Sequence, residues 1–337
     1  MKARSSRTTI RDIAKAANVS INTVSRALNN KGDVKKETQE RILAIAEELD
    51  YVPNLLARGL LHDRTLTIGV VVTDNSNPFY ARVLRGAGDC ARQAGYSIIL
   101  CNSDEDPDRE SETLRTLKAK RVDGIIITPA STRGRFLESL SRHQVPFVLL
   151  NRSTDDANVD YVKTDNVRGA ELAVDRLIET GRRRICYLGG PERISSAVER
   201  REGCTRAVRA AGLPDDALTV VETELHMEDG YDQMRRILRD ETRPDGVFAY
   251  SDIVAIGAMR AIREAGLKIP DDIAVIGYDD IEIASYLEVR LTTIRQKRYE
   301  LGYKSCELLL ARISEAADEQ MRQHVVFTPE LIIRDSG

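Results

Sequence analysis

The sequence predicts an N-terminal all-α unit, a helix-turn-helix headpiece with a hinge helix, followed by an α/β core of two doubly wound parallel-sheet subdomains. Three observations carry that reading. Ile10, Ile13, Ala14 and Ala17 recur at helical spacing, and a second amphipathic segment follows after the turn Asn18-Val19. A leucine-rich connector begins at Pro53. From Leu66 onward, short apolar runs alternate with amphipathic stretches over about 270 residues, which is long for a single core.

The first helix has one apolar face to bury. Ser20 is placed to cap the second, whose inward face is Thr23, Val24, Ala27 and Leu28. Its outward face then holds Ile21, Asn22, Ser25 and Arg26. An outward Ile beside an Asn and an Arg is odd for a solvated surface but suits a helix entering the major groove. There Arg pairs with guanine, Asn with adenine, and an apolar side chain meets a thymine methyl. A third helix runs through Ile42, Ile45, Ala46 and Leu49.

Charge agrees once it is read by region. The whole chain carries 50 Lys+Arg against 53 Asp+Glu. Within residues 1–36, however, Lys2, Arg4, Arg7, Arg11, Lys15, Arg26, Lys31, Lys35 and Lys36 face only Asp12 and Asp33. That end suits phosphates, so affinity for DNA should fall steeply with salt. The connector's Leu55, Leu56, Leu60 and Leu61 have no evident core, and Gly59 costs a short helix roughly 1 kcal/mol relative to Ala, so it needs a partner to fold.

In the body, 66–72, 96–100, 124–128, 147–150, 185–189, 247–250 and 273–277 read as buried parallel strands, with crossover helices between them. Residues 161–164 read as a crossover, and a second repeat begins near Asp165. Polar and aromatic residues gather at the strand ends: Asn77, Phe79 and Tyr80 after the first, Asn151 and Arg152 after the fourth, then Ser251, Asp279 and Gln296, with Arg200 in Arg200-Arg201-Glu202-Gly203. Bidentate Arg with carboxylate and amide partners suits neutral polyhydroxyl ligands, because each hydroxyl both donates and accepts.

Thr9-Ile10-Arg11-Asp12-Ile13-Ala14, followed by Val19-Ser20-Ile21-Asn22-Thr23-Val24-Ser25-Arg26-Ala27-Leu28-Asn29, resembles the headpiece of the lac repressor family, and the likeness runs nearly end to end. It implies a periplasmic-binding-protein type I core and a homodimer on a palindromic operator. Ile21, Asn22, Arg26 and Asn29 would read bases, Thr9, Ser20, Thr23 and Ser25 would meet phosphates, and the hinge residues Ala57 and Leu60 would enter the minor groove. It implies a headpiece over 1–52, a hinge over 53–64, a first subdomain of 65–164 plus about 296–322, and a second of 165–295 plus about 323–337. The cleft is similar to that of ribose repressors and pentose-binding receptors, which implies that Phe79 and Tyr80 sandwich a sugar ring. Asn77, Asn151, Arg152, Arg200, Ser251, Asp279 and Gln296 complete the implied effector set. Five positions depart from the family pattern: Lys35-Lys36 removes a side-chain cap from the third helix, Gly59 weakens the hinge, and Asn151 and Ser251 alter two hydroxyl partners.

Other classes fare poorly. His62, His143, His226 and His324 are scattered, without a nucleophile or metal-like spacing, and read as surface residues. Gly86-Ala87-Gly88 sits inside a helical pattern, so no nucleotide cofactor is expected, and neither metal nor catalysis is. Arg182-Arg183-Arg184 reads as a solvated loop. The five cysteines are odd in number and should stay reduced. No export signal or membrane-length run is present, so action at the nucleoid in the cytoplasm is expected. No heptad tail follows Ile333, which favours a dimer over higher oligomers. Two alternatives stand beside a sugar-controlled repressor: a sugar receptor of the same fold without regulatory function, and a regulator for which a purine or sugar acid is the corepressor.

Overall fold

The computed structural model describes residues 8–28, 34–51, 64–132, 145–154, 158–240, 242–314 and 321–337. Asn29 and the hinge residues Ala57 and Leu60 lie outside them. The chain divides into two compact units, 1–65 and 66–337.

The first unit contains α1 (Ile10–Ala16), α2 (Ile21–Leu28) and α3 (Lys36–Glu48). Ile13, Ala14, Ala17, Val24, Ala27, Ile42 and Ala46 form its core, so the i, i+3, i+4 stripes meet as expected. Asp12 caps α1 by accepting the Thr9 amide at 2.8 Å and the Thr9 hydroxyl at 2.7 Å, which holds its carboxyl below the usual range. Ser20 caps α2 by accepting the Thr23 amide at 3.0 Å. Asn18 makes the intervening turn at φ +52°, a conformation that Asn tolerates better than most residues. Lys35 gives α3 no side-chain cap, as the Lys35-Lys36 departure implies.

The second unit contains two six-stranded sheets. The first comprises β1 (Thr67–Val72), β2 (Ser97–Asn102), β3 (Gly124–Ile127), β4 (Phe147–Leu150), β5 (Tyr161–Thr164) and β11 (His324–Phe327), in the order β11-β5-β4-β3-β1-β2 and all parallel. The second comprises β6 (Ile185–Gly189), β7 (Leu218–Glu222), β8 (Gly246–Ala249), β9 (Ala274–Asp279), β10 (Thr292–Arg295) and β12 (Glu330–Ile332), in the order β12-β10-β9-β8-β6-β7, with only β12 antiparallel. The first lobe carries α4 (Pro78–Gln93), α5 (Pro107–Ala119) and, late in the chain, α10 (Arg298–Ile313). The second carries α6 (Asn166–Glu179), α7 (Ser195–Ala210), α8 (Met227–Ile237) and α9 (Asp252–Glu264). Helices on both faces bury the central strands, which explains their unbroken apolar runs.

Two expectations need correction. Residues 161–164 are a sheet strand as well as the approach to a crossover; the half-buried Tyr161 and Lys163 break the apolar run that would have marked β5. The C-terminal segment does not pass whole into the second lobe at about 323. β11 pairs with β5 in the first sheet, and the chain crosses only between Phe327 and Glu330. The return strand shields what would be an exposed sheet edge, and His324 stacks on Tyr161 with ring centroids 4.3 Å apart. It is held from below by Asp160, which accepts the Gln323 amide at 2.7 Å and the Arg312 guanidinium at 2.8 and 3.0 Å.

Helices α4 and α10 pack backbone to backbone. A Cβ on Gly86 would overlap the Tyr299 carbonyl, and one on Gly302 would overlap the Val83 carbonyl. That contact, rather than a phosphate loop, accounts for glycine within Gly86-Ala87-Gly88. All five cysteines are free thiols, and among the described residues no helix is long and apolar enough to cross a membrane. Gly302→Ala should force the two helices apart and lower the stability of the core by about 1–3 kcal/mol, as overpacking does. Urea denaturation reads the effect; an unchanged midpoint would contradict the close approach.

Candidate functional site

On α2, Ile21, Asn22 and Arg26 are exposed, with Ile21 44% accessible despite being aliphatic. Thr23 and Ser25 are half-buried beside them, while Thr9 and Ser20 sit at the two helix N-termini. The hydroxyls of Ser20 and Thr23 lie 2.8 Å apart. Two of the expected phosphate contacts, Thr9 and Ser20, thus fall at cap positions, where the positive end of a helix dipole already favours an anion.

In the core, the C-terminal ends of the two sheets' parallel strands border one cleft. Thr73, Asp74, Asn77, Phe79, Tyr80, Glu105, Asn151 and Arg152 line it from the first lobe. Arg200, Glu224, Leu225, His226, Tyr250, Ser251 and Asp279 line it from the second. Eight of the nine expected effector residues therefore meet there. Gln296 does not reach the wall: it lies beneath, donating from Nε2 to Asp279 Oδ1 at 2.7 Å and accepting the Thr164 hydroxyl at 2.6 Å. It orients Asp279 and bridges two crossovers.

The guanidiniums are already committed. Arg152 donates to both Glu105 oxygens, at 2.8 and 2.6 Å, and to the Pro129 carbonyl, while its buried Nε has no protein partner. Burial alone would lower the Arg152 pKa; the Glu105 carboxylate outweighs it and raises the pKa above the ordinary value. Arg200 donates from Nε to Asn166 Oδ1 at 3.0 Å and from Nη1 to the Tyr250 carbonyl. Its guanidinium carbon sits 3.5 Å from the Tyr278 ring centroid and 4.4 Å from that of Tyr250.

Several cleft residues also have local duties. Asn77 caps α4 by accepting the Phe79 amide at 3.0 Å, and Ser251 caps α9 by accepting the Val254 amide at 3.3 Å. Asn151 adopts φ +62° and leaves a buried Oδ1 without a protein partner. Phe79 and Tyr80 do not form a slot: their rings meet edge to face, 5.0 Å between centroids at 81°, so nothing can be sandwiched between them. The Tyr80 hydroxyl pairs instead with Thr73 at 2.9 Å, and burial pushes its pKa up to about 12.

At the wall, burial raises the Asp279 carboxyl to about 6, against the pull of Arg200 and Gln296. Asp252 is raised well above its ordinary value by burial, with Asp279 adding to the effect, and it accepts the Thr293 hydroxyl at 2.5 Å and the Ile281 amide at 2.8 Å.

Most of the residues missed by sequence reasoning follow strands that were cut short or not seen. Glu105 lies beyond β2, which extends past the expected end at 100 to Asn102. Glu224, Leu225 and His226 follow β7, an edge strand too exposed to read as an apolar run. His226 is exposed, as expected of a surface histidine, yet it lines the cleft. Tyr250 ended a strand that was expected, so its position there was a usable signal.

A family profile described as bacterial regulatory proteins of the lacI family matches residues 9–54, and one described as periplasmic binding proteins and sugar binding domain of LacI family matches residues 65–333. The chain belongs to the LacI family. This LacI-family protein is 37% identical to the ribose operon repressor of Halalkalibacterium halodurans over 329 residues, 98% of this chain and 97% of that one. It is 36% identical to the repressor PurR of Haemophilus influenzae over 331 residues, 97% and 98% of the two chains. Among solved structures, a LacI-family regulator from Enterococcus faecium with bound ribose matches with TM-score 0.72 and 34% identity, over 80% of this chain and 98% of that one. The lac repressor dimer bound to operator and the anti-inducer ONPF matches with TM-score 0.87 and 27% identity, over 98% of each chain. The LacI-family protein is thus a DNA-binding regulator with a sugar-binding-type core.

A carboxyl raised in the folded state binds protons more tightly there than in the unfolded chain, so its contribution to stability is greatest at low pH and declines as pH rises. For Asp279 the window runs from 3.8 to about 6. The stability difference between the wild type and Asp279→Asn should therefore shift against the wild type as pH goes from 4 to 7. Urea titrations at four pH values measure it; a flat difference would show that burial does not raise this group.

Proposed function

We propose that this LacI-family protein is a repressor that binds a near-palindromic operator as a homodimer and that a neutral pentose, ribose or a close relative, controls that binding from the interlobe cleft. The observation that carries the effector reading is the convergence of Asn151, Arg152, Arg200 and Asp279 on one cleft whose carboxylates outnumber its guanidiniums. Asp74, Glu105, Glu224 and Asp279 border it against Arg152 and Arg200. A sugar phosphate or sugar acid would add negative charge to that surface, whereas a neutral polyol can donate to the carboxylates and accept from the guanidiniums. A purine finds no slot between two parallel rings: Phe79 meets Tyr80 edge to face, and Arg200 lies over one face of Tyr250. The ribose-operon relative and the ribose-bound structure support the same ligand class.

For DNA, Ile21, Asn22 and Arg26, with Asn29 beyond α2, read base edges, while Thr9, Ser20, Thr23 and Ser25 meet phosphates. The operator-bound lac repressor dimer supports two-fold pairing. In such a pair Ala57 and Leu60 of the two hinges would enter the minor groove. The effector acts through its different affinity for two lobe arrangements, which space the hinges differently. The protein works at chromosomal DNA in the cytoplasm and returns its ligand unchanged.

Thermal-shift measurements with pentoses, hexoses, ribose 5-phosphate, sugar acids and purines test the effector. Ribose or another pentose at a hundredfold its Kd should add about 2.7 kcal/mol of stability, and the anionic compounds none. Stabilisation by a purine or sugar acid alone would overturn the pentose reading. Selection from random DNA tests the operator. Arg26→Ala should cost about 1–3 kcal/mol and relax preference at one base pair, whereas a uniform loss over all sequences would remove its reading role.

A further inference from the structure

The lobes of the core are joined beside the cleft by a small ionic cluster that the effector site does not include. Glu199, on α7 of the second lobe, accepts from Lys163 Nζ of β5 in the first lobe at 2.5 Å and from the Ser153 hydroxyl at 3.2 Å. Lys163 also donates to Ser153 Oγ at 2.9 Å, and the Ser153 amide donates to Ser195 Oγ, again between lobes, at 3.0 Å. Lys163 and Glu199 side chains keep only 15% and 19% of their accessibility, so solvent screens the pair less than it would a surface bridge. Glu199 has a second tie. Its other oxygen accepts Asn166 Nδ2 at 2.8 Å, and Asn166 Oδ1 accepts Arg200 Nε at 3.0 Å. Arg200 lines the cleft.

The geometry points to Glu199 as an interlobe latch: it holds Lys163 and Ser153 against the second lobe, and through Asn166 it makes the latch responsive to whatever engages Arg200. Glu199 and Lys163 are positioning residues, not ligand contacts, and the link to the effector rests on the proposed pentose site. Arg200 cannot move toward a ligand hydroxyl without disturbing Asn166. Asn166 in turn fixes which carboxylate oxygen Glu199 presents to Lys163. Breaking the latch depopulates the clamped arrangement, and apparent effector affinity falls in proportion to the fraction lost.

Residue-resolved hydrogen exchange on the full chain tests the latch without any ligand. The Ser153 amide is bonded across the lobes, whereas the Asn151 amide donates to the Val162 carbonyl within the first lobe at 2.8 Å. Glu199→Gln and Lys163→Met should each speed exchange at Ser153 by about tenfold and leave Asn151 within about twofold, as local opening does. The double variant should be no faster than the faster single, because both remove one interaction. Unchanged exchange at Ser153, equal acceleration of both amides in both singles, or multiplying effects in the double variant would each overturn the latch. D-Ribose titration then tests the coupling, with the variants expected to bind about fivefold more weakly. Faster Ser153 exchange with unaltered ribose affinity would overturn the link to Arg200. Failure of the wild type to bind any pentose would defeat the effector reading and leave the exchange result to decide the latch.

Discussion

The core of this protein is organised around a permanent cation that is almost entirely withdrawn from water. Arg200 is 1% exposed, and a guanidinium cannot relieve burial by losing its proton. Its surroundings must therefore compensate, and they do so from several elements at once: Asn166 at the start of α6, the carbonyl of Tyr250 at the end of β8, the ring faces of Tyr250 and Tyr278, and the nearby Asp279 carboxylate. Each partner carries a second obligation. Asp279 is oriented by Gln296, Gln296 is bound by Thr164 at a crossover, and Asn166 reaches Glu199. One buried charge thus links a ligand wall, a crossover and an interlobe contact.

Such a network responds to small disturbances in discrete steps. Apolar contacts between lobes slide at modest cost, but a hydrogen-bonded ionic cluster has few satisfied arrangements, so disturbing one member favours a discrete alternative. Arg152 provides a counterpart in the first lobe, held as a fork by Glu105. The headpiece has a different economy. Its core is small, Ile21 remains exposed, and capping by Asp12 and Ser20 supplies order that burial alone does not. Helix ends so arranged are also suited to phosphate.

Much of this was legible in the residues. The helical stripes of α1 and α2 define a single register, and the outward set Ile21, Asn22 and Arg26 follows from it. Central strands such as 185–189 and 247–250 are apolar throughout because both faces are covered. Polar residues at their ends then had to border the cleft, and Asn77, Asn151, Arg152, Ser251 and Asp279 do, joined by Arg200 from α7. Strands at or next to a sheet edge were harder to see. β7 is largely exposed and β5 alternates, so neither has the run that reveals a central strand, and Glu224 and His226 were hidden with the former.

Local periodicity and residue chemistry, which are properties of neighbours in sequence, were enough to predict the two-part organisation, the outward face of α2 and most of the polar residues that border the cleft. Pairings between distant segments were not encoded in that way. Whether 324–327 covers the first sheet or the second depends on which edge is open, and whether Phe79 and Tyr80 form a slot depends on ring angles set by packing. The reach of Glu199 to Lys163 is likewise a matter of where two lobes come to rest. Spacing along a chain carries no record of angles and distances between groups 36 residues or more apart until folding brings them together.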